Sequence, residues 1–330
     1  MAGFPAGRGR SAAQGIAGRR AGWKERFSLI PYRLWILLAY TRIPGNAFSF
    51  FIRKTLRWSR GIPSLPDESK DGLFAYLDEP QSGAALLPGG APPTRARAEA
   101  RELELRDRYS LADLRARSTA ANYRKNLYLI DILERAAEGL DLPAREVDSL
   151  KAADVGSQDF HYAFGLERWL RRGNRPGGSP PRALKLEGVE VDGHGIYPDF
   201  RSRRDHARAY AAQAGNPDVT YRVADFARAP GGPYDVITWF YPFVTAHHLL
   251  LWGLPLGLFR PAALVETAFA ALRPGGRMIV TAHTEKEHLL FLERARAAGF
   301  RLDREGPARS PLVDFHADVE DRRFSIWTRP

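Results

Sequence analysis

Apolar runs alternate with amphipathic stretches through the second half of the chain, from residue 147 to the end. The apolar runs predict strands at 150–155, 184–191, 219–223, 234–240, 276–282, 300–305 and 323–328. Between them, helical spacing of apolar residues predicts helices at 160–172, 200–214, 261–272 and 285–298. Such alternation is typical of a doubly wound parallel sheet. Because only a loop separates the last two runs, we expect them to pair as an antiparallel hairpin, which gives a mostly parallel seven-stranded α/β fold.

The first half of the chain does not show this alternation, and its composition divides it into four segments. Residues 1–20 are rich in Gly, Ala and Arg and predict a disordered basic tail. Residues 21–76 interleave aromatic and basic residues and predict two amphipathic helices, at about 31–41 and 47–58. A Pro- and Gly-rich linker is predicted at 77–95 and a helical cap at 96–146, with helices at about 96–117 and 119–138. The doubly wound domain then occupies 147–330.

The predicted helix at 47–58 carries an apolar stripe with basic residues beside it. The stripe consists of Phe48, Phe51, Ile52 and Leu56, and the basic residues off the stripe are Arg53, Lys54 and Arg57. Such a helix can pack its aromatic residues on the main domain, lie on an anionic membrane, or contact nucleic acid. We favour packing, then a membrane contact through residues 21–60, and place nucleic acid last.

Positive charge is concentrated at the N-terminus. The 330 residues carry a net charge of +11, and residues 1–60 contain twelve Lys or Arg but a single acid, Glu25. The rest of the chain is therefore neutral, which is not typical of a general nucleic-acid-binding surface. The absence of cysteine excludes disulfides, thiolate metal sites and a cysteine nucleophile. We expect a cytoplasmic protein, peripheral at most to the inner membrane face, because the apolar run Leu34–Tyr40 is too short to span a bilayer.

Polar and aromatic residues follow the ends of the first four predicted strands. In chain order these segments read DVGSQDF, GVEVDG, VADF and TWFYPF. Ligands of doubly wound sheets bind beyond the carboxyl ends of the central strands, so the four segments are candidates for one common site. The full GxGxxG pattern of a nicotinamide-cofactor site is absent.

The order and spacing of these segments, with ALRPGGRMIV leading into strand five, resemble class I S-adenosylmethionine-dependent methyltransferases over residues 147–330. The resemblance implies a Rossmann-like fold and this cofactor. Asp154 and Gly156 match the acidic-x-Gly of the family's first motif, and Ser157 and Gln158 belong to the same loop. The loop departs from the family where Gln158 and Phe160 replace the usual second and third glycines. It is therefore an atypical cofactor loop.

The same resemblance assigns the remaining cofactor-binding candidates. Glu190 matches the acid that receives the ribose hydroxyls, with Asp192 as a competing candidate two residues on. Asp225 and Phe226 match the pair beside adenine. Trp239 belongs to the aromatic group after strand four, whose faces attract a sulfonium cation.

The implied activity is direct methyl transfer to an unknown acceptor, for which we favour a small molecule or a lipid-like compound. Tyr241 and His283 are the candidates for catalytic residues, because they stand at the ends of strands four and five. The spacing of the eight histidines predicts no metal site. The alternatives are a non-catalytic methyltransferase-like scaffold and an RNA methyltransferase that uses the basic N-terminal segment.

Overall fold

The structure, a computed structural model, describes residues 43–78, 94–140, 142, 148–173, 183–310, 312 and 321–330. The predicted tail at 1–20, the helix at 31–41 and most of the linker at 77–95 lie outside the described residues. None of the described helices is long and apolar enough to cross a membrane.

Seven strands and nine helices make up the secondary structure of the described residues, apart from short 3₁₀ turns. The strands are β1 Ser149–Val155, β2 Ala183–Glu190, β3 Val219–Val223, β4 Tyr234–Phe240, β5 Leu272–Ala282, β6 Arg301–Pro307 and β7 Arg323–Thr328. The helices are α1 Ile43–Leu56, α2 Arg95–Tyr109, α3 Ala112–Ala116, α4 Ala120–Ala136, α5 Ala163–Arg172, α6 Arg203–Gln213, α7 Ala246–Leu251, α8 Pro261–Ala271 and α9 Glu285–Ala297.

The strands form one sheet in the order β3-β2-β1-β4-β5-β7-β6. The first five strands are parallel, and β7 lies between β5 and β6, antiparallel to both. The predicted doubly wound sheet with a C-terminal antiparallel hairpin is therefore confirmed. From β1 the chain winds outward through β2 and β3 and then returns to β4, so the winding direction switches between β1 and β4.

Alternate residues of the central strands bury themselves on opposite faces of the sheet. On one face, Leu150 and Ala152 of β1 join a core cluster that includes buried residues of α2 to α6. On the other face, Ala153 and Val155 join a cluster formed with α8 and α9. Both faces of the central strands are therefore covered, and every residue of β4 is buried. The helical cap shares the first of these clusters and is thus continuous with the core of the sheet.

Two helices differ in extent from the sequence prediction. The helix predicted at 96–117 is two helices, α2 and α3, because Ser110 adopts a left-handed conformation with φ of 54°. The helix predicted at 47–58 begins earlier, at Ile43, and ends at Leu56. Arg57 follows it with a positive φ of 49°, which terminates the helix.

The apolar stripe of α1 faces outward, which corrects the packing that we favoured from the sequence. Phe48, Phe51 and Leu56 are 68%, 63% and 71% exposed. The opposite side of the helix contacts the domain instead: Asn46 donates from Nδ2 to the carbonyl of Leu250 (2.9 Å). Arg53, one of the basic residues off the stripe, is also on this side, where it pairs with Asp192. Polar contacts of Asn46 and Arg53, together with Phe50 packed against the cluster of Leu249, Leu250 and Leu254, therefore fix which face of α1 is docked.

Candidate cofactor and acceptor site

A pocket opens at the carboxyl ends of β1, β2 and β4, where the winding direction of the sheet switches. Eight of the eleven residues selected from the sequence line it, namely Gly156, Gln158, Glu190, Asp225, Phe226, Trp239, Tyr241 and His283. Asp154, Ser157 and Asp192 do not line it. This position is where ligands bind in doubly wound sheets.

The loop after β1 keeps left-handed backbone conformations without the usual glycines. Gly156 has a φ of 72°, and Gln158 and Phe160 have φ values of 52° and 55°. Phe160 turns its side chain into the core, where it is fully buried, whereas Gln158 lines the pocket. Left-handed conformations at non-glycine residues cost energy and persist only where the surroundings impose them. The loop therefore has the backbone turns of a glycine motif together with one additional pocket side chain.

Asp154 is fully buried and belongs to the support of the site. Its Oδ2 accepts a hydrogen bond from the Tyr162 hydroxyl (2.7 Å), and its Oδ1 accepts one from the Thr238 hydroxyl (2.6 Å). Burial raises the pKa of Asp154 to about 7, and these two donors oppose the rise. The carboxyl group thus connects β1 to β4 and to the residue before α5. Ser157, in the same loop, is also fully buried, and its hydroxyl has no hydrogen-bond partner among the described residues.

Glu190 is the acid that faces the pocket from the end of β2. Its Oε2 accepts the backbone N–H of Gln158 (3.0 Å), and its Oε1 accepts the backbone N–H of Asp192 (2.9 Å). Each carboxylate oxygen retains lone-pair capacity for a further donor, such as one hydroxyl of a ribose. Burial raises the pKa of Glu190, while the positive charge of Arg203 opposes that rise.

Asp192 is occupied by two arginines and is directed away from the pocket. Arg53 of α1 donates from Nε to Oδ1 (2.6 Å) and from Nη2 to Oδ2 (3.1 Å). Arg203 of α6 donates to the same Oδ2 (3.0 Å). Of the two competing acids, Glu190 is therefore the one available to a ligand in the pocket.

The adenine end of the predicted site contains Asp225, Phe226 and an arginine that the sequence did not suggest. Phe226 is buried and lines the pocket. Asp225 accepts a hydrogen bond at Oδ2 from Arg260, which immediately precedes α8 (2.7 Å). This ion pair closes one end of the pocket, and it gives a donor group next to the predicted adenine position.

The opposite end of the pocket contains both predicted catalytic residues in direct contact. The ring of Tyr241 stacks on His283 with centroids 4.0 Å apart. The Tyr241 hydroxyl accepts a hydrogen bond from Arg322 (3.3 Å) and lies 3.2 Å from the hydroxyl of Tyr128 in α4. Burial lowers the pKa of His283 to about 4, so its imidazole is neutral at pH 7. Tyr128 and Arg322 were not identified from the sequence.

Residues 246–258, hereafter the lid, form an apolar wall over the pocket. Leu249, Trp252 and Leu254 of the lid line it. Helix α1 holds the lid, since Asn46 contacts the carbonyl of Leu250 and Arg53 donates to the carbonyl of Gly253 (2.9 Å). The sequence did contain a signal for this contact, because Asn46 and Arg53 are seven residues apart and share one helix face.

The acceptor group and the walls of the pocket fit the nucleoside part of S-adenosylmethionine. Glu190 can accept from two ribose hydroxyls, Gly156 presents no side chain to a ligand, and Phe226 and Trp239 supply apolar and aromatic walls. No group of three or more His, Asp or Glu residues that could hold a metal ion occurs in the described part of the chain.

No protein-family model and no curated protein matches the sequence. Solved structures give similarities in fold. TrmN from Thermus thermophilus is 16% identical, with 62% of this chain and 49% of that chain covered and a TM-score of 0.41. Ribosomal protein L11 methylase from Lactobacillus delbrueckii subsp. bulgaricus is 13% identical (66% and 87% covered, TM-score 0.40). Magnesium protoporphyrin IX methyltransferase from Synechocystis PCC 6803, solved with bound S-adenosylmethionine, is 14% identical (64% and 81% covered, TM-score 0.38).

This chain spans about half of the length of the Thermus protein. The observed strand order, with an antiparallel β7 inserted between β5 and β6, is independent of these comparisons. By that topology the chain has the Rossmann-like fold of class I S-adenosylmethionine-dependent methyltransferases.

Proposed function

We propose that the protein transfers a methyl group from S-adenosylmethionine to a small-molecule or lipid-like acceptor. The observation that carries this proposal is the placement of Glu190 at the pocket. Its carboxylate is fixed by two backbone N–H groups and still has acceptor capacity toward the pocket. A buried carboxylate held in this way matches a pair of vicinal hydroxyls better than it matches an apolar ligand.

Different residues around the pocket bind different parts of the cofactor. Glu190 and Gly156 hold the ribose and the adjoining chain, and Asp225 with Phe226 holds the adenine. Trp239 and Tyr241 line the pocket with aromatic side chains, which favour a cation. The cofactor supplies a sulfonium-bound methyl group that a nucleophile can displace directly.

The acceptor end supports positioning more strongly than proton transfer. Tyr241 is fixed by His283, Arg322 and Tyr128, so its hydroxyl can orient an acceptor by a hydrogen bond. His283, neutral at pH 7, can accept a proton from an acceptor hydroxyl or amine. Methyl transfer depends chiefly on in-line placement of the two reacting atoms. The apolar lid over this end favours a small or lipid-like acceptor over a polynucleotide.

The basic N-terminal segment supports a cytoplasmic protein that contacts the inner membrane face through residues 21–60. Twelve Lys or Arg and one acid in residues 1–60 give the charge that an anionic leaflet attracts. Lipid-like acceptors would then be available at the same surface.

Calorimetric titration with S-adenosylmethionine and S-adenosylhomocysteine tests the proposal. We expect micromolar binding, about −8 kcal/mol. Glu190→Gln should weaken binding about tenfold, because a hydrogen bond to a charged group contributes about 1.5–3 kcal/mol. Glu187→Gln is the matched control, since Glu187 is on the same strand but pairs with Arg222 outside the pocket (2.9 Å).

The same titration separates the proposal from its alternatives. If neither ligand produces heat or a thermal shift at millimolar concentration, the non-catalytic scaffold replaces the enzyme. If binding occurs and labelled methyl groups enter RNA but not lipid extracts or small molecules, the RNA methyltransferase replaces the acceptor class proposed here.

A further inference from the structure

A second cavity, hereafter the basic cavity, lies between α1, α6 and the edge strand β3. Its volume is about 660 Å³. Seven Lys or Arg side chains line it, against one carboxylate, that of Asp225. These basic residues are Lys54, Arg57, Arg204, Arg208, Arg222, Arg228 and Arg260. The sequence predicted a membrane contact through residues 21–60 but no phosphate site here, and Asp225 and Arg260 also line the first pocket.

Four of the seven positive charges are not neutralised within the described structure. Arg222 pairs with Glu187, and Arg228 and Arg260 both pair with Asp225. No ion pair with a described carboxylate involves Lys54 of α1, Arg57 directly after it, or Arg204 and Arg208 of α6. Cations gathered in one concave surface raise the local potential and attract anions. The cavity is therefore electrostatically suited to a phosphate group.

His194 gives a second, independent indication of a ligand. Its side chain lines the basic cavity and the residue is only 7% exposed. Its Nδ1 has no hydrogen-bond partner among the described residues, and neither has the buried Nε of Arg204. Buried polar atoms are normally paired, so the unpaired Nε–H of Arg204 beside the unpaired Nδ1 of His194, which donates in its Nδ1–H tautomer, indicates a missing acceptor. A phosphate oxygen is an acceptor of the required kind.

The rim of the basic cavity identifies the source of the phosphate. Helix α1 and the residue after it contribute Phe50, Lys54 and Arg57 to the cavity. On its outward side the helix bears the exposed stripe of Phe48, Phe51, Ile52 and Leu56. Trp58, two residues after the end of the helix, is 45% exposed and donates from its indole to the carbonyl of Phe200 (2.8 Å). Aromatic and apolar side chains above a ring of cations match the boundary between acyl chains and headgroups.

We propose that the basic cavity binds the phosphate of an anionic phospholipid headgroup while the exposed stripe of α1 enters the membrane surface beside it. Charge complementarity and the continuity of the cavity with the stripe support this occupant. The proposal does not rest on methyl transfer. It rests on the membrane contact proposed above for residues 21–60. Weaker cofactor binding in Glu190→Gln leaves the expected lipid binding unchanged, so methyl transfer and headgroup binding fail separately.

Vesicle flotation with the full chain tests the cavity and the stripe in separate variants. The vesicles contain phosphatidylcholine and phosphatidylglycerol in equal parts. The cavity variant is Arg204→Gln/Arg208→Gln, and its matched control, Arg97→Gln/Arg296→Gln, removes two exposed arginines that do not line the cavity. The stripe variant is Phe48→Ser/Phe51→Ser, matched by Leu103→Ser/Leu289→Ser, which are 48% and 58% exposed elsewhere. Calorimetry with inorganic pyrophosphate reports on the cavity without a bilayer.

The proposal expects a distinct pattern across these variants. The cavity variant should bind vesicles about thirtyfold more weakly, from two arginines at an anionic surface, and should lose pyrophosphate binding. The stripe variant should lose vesicle binding and retain pyrophosphate binding. Both control variants should behave as the wild type does.

Each departure from this pattern overturns the proposal in an identifiable way. Equal vesicle affinity of the cavity variant and its control removes the headgroup site. Pyrophosphate binding with no vesicle binding by the wild type assigns the cavity to a soluble phosphate compound. An RNA oligonucleotide that binds the wild type but not the cavity variant, with vesicles unbound, assigns it to nucleic acid. A stripe variant that melts at a lower temperature and still binds vesicles shows that another segment of the chain covers the stripe.

Discussion

The contact between Arg53 and Asp192 fixes α1 to the domain, so its removal should release the helix locally. We expect Arg53→Met to free α1 while the sheet remains folded. Methionine keeps the apolar stem of the side chain and removes only the guanidinium. The guanidinium makes two hydrogen bonds to Asp192 and one to the carbonyl of Gly253. The side chains of Arg53 and Asp192 are 15% and 2% exposed, so solvent screens this ion pair weakly.

The magnitude follows from what remains around Asp192. Removing one partner of a buried ion pair costs about 3–5 kcal/mol when the other charge is left alone. Here Arg203 still pairs with Asp192 (3.0 Å) after the substitution. We therefore expect a smaller cost, about 2 kcal/mol, which corresponds to about a thirtyfold shift toward the undocked helix.

Hydrogen–deuterium exchange of a peptide covering 43–56 measures this shift directly, because local opening controls amide exchange. Exchange should be about thirtyfold faster in Arg53→Met. Arg95→Met is the control: Arg95 pairs with Glu99 and Asp78 at an exposed position, where an ion pair contributes about 0–1 kcal/mol. Unchanged exchange of α1 in Arg53→Met would refute the conclusion that this ion pair holds the helix.

Three further predictions concern groups around the pocket. The wild type should lose up to about 4 kcal/mol of unfolding free energy as pH rises from about 4 to 7, because burial raises the folded-state pKa of Asp154 to about 7. Asp154→Asn should abolish this loss. Urea unfolding of both proteins at pH 5 and 8 measures it, and an equal change of unfolding free energy in the two proteins contradicts the prediction. Gln158→Gly should leave the melting temperature nearly unchanged, because relieved backbone strain offsets added unfolded-state freedom, whereas Gly156→Ala should cost about 1 kcal/mol. The wild type should lose stability as pH falls from 6.5 to about 4, because burial lowers the folded-state pKa of His283, and His283→Phe should remove this loss. The same change of melting temperature between pH 7 and pH 5 in variant and wild type contradicts the prediction.

The periodicity of apolar residues was sufficient to predict the strands of the sheet. It failed at the start of β5, where contacts with residues distant in sequence determine where the strand begins. The strand predicted from 276 begins at Leu272, although RPGG reads as a turn. The backbone of Gly275 donates to the carbonyl of Arg329 (2.8 Å), and Arg329 donates to the carbonyl of Gly276 (3.0 Å). Arg273 also pairs with Asp235 of β4 (2.8 Å). These partners are distant in sequence, so no local pattern reports them.

The sequence was sufficient to predict where in the fold the candidate site lies. It was not sufficient to predict which side chains face the pocket. The rule that ligands bind at strand ends selected Asp154, Glu190 and Asp192 together. Which of these acids faces the pocket depends on long-range neighbours: Tyr162 and Thr238 enclose the first, and Arg53 occupies the third. The outward face of α1 was missed for the same reason, since hydrophobicity alone cannot show that a polar face has specific partners.

The left-handed residues of the cofactor loop have a consequence for how such sites diversify. The turn at Gln158 is held from outside, by its N–H bonded to Glu190 and by its carbonyl accepting the hydroxyl of Tyr221. The burial of Phe160 anchors the next turn. A loop shaped by its surroundings no longer needs glycine to keep its path. Residues other than glycine can therefore occupy position 158. A side chain there can contact the ligand and affect ligand selectivity, whereas a glycine loop presents only its backbone at this point.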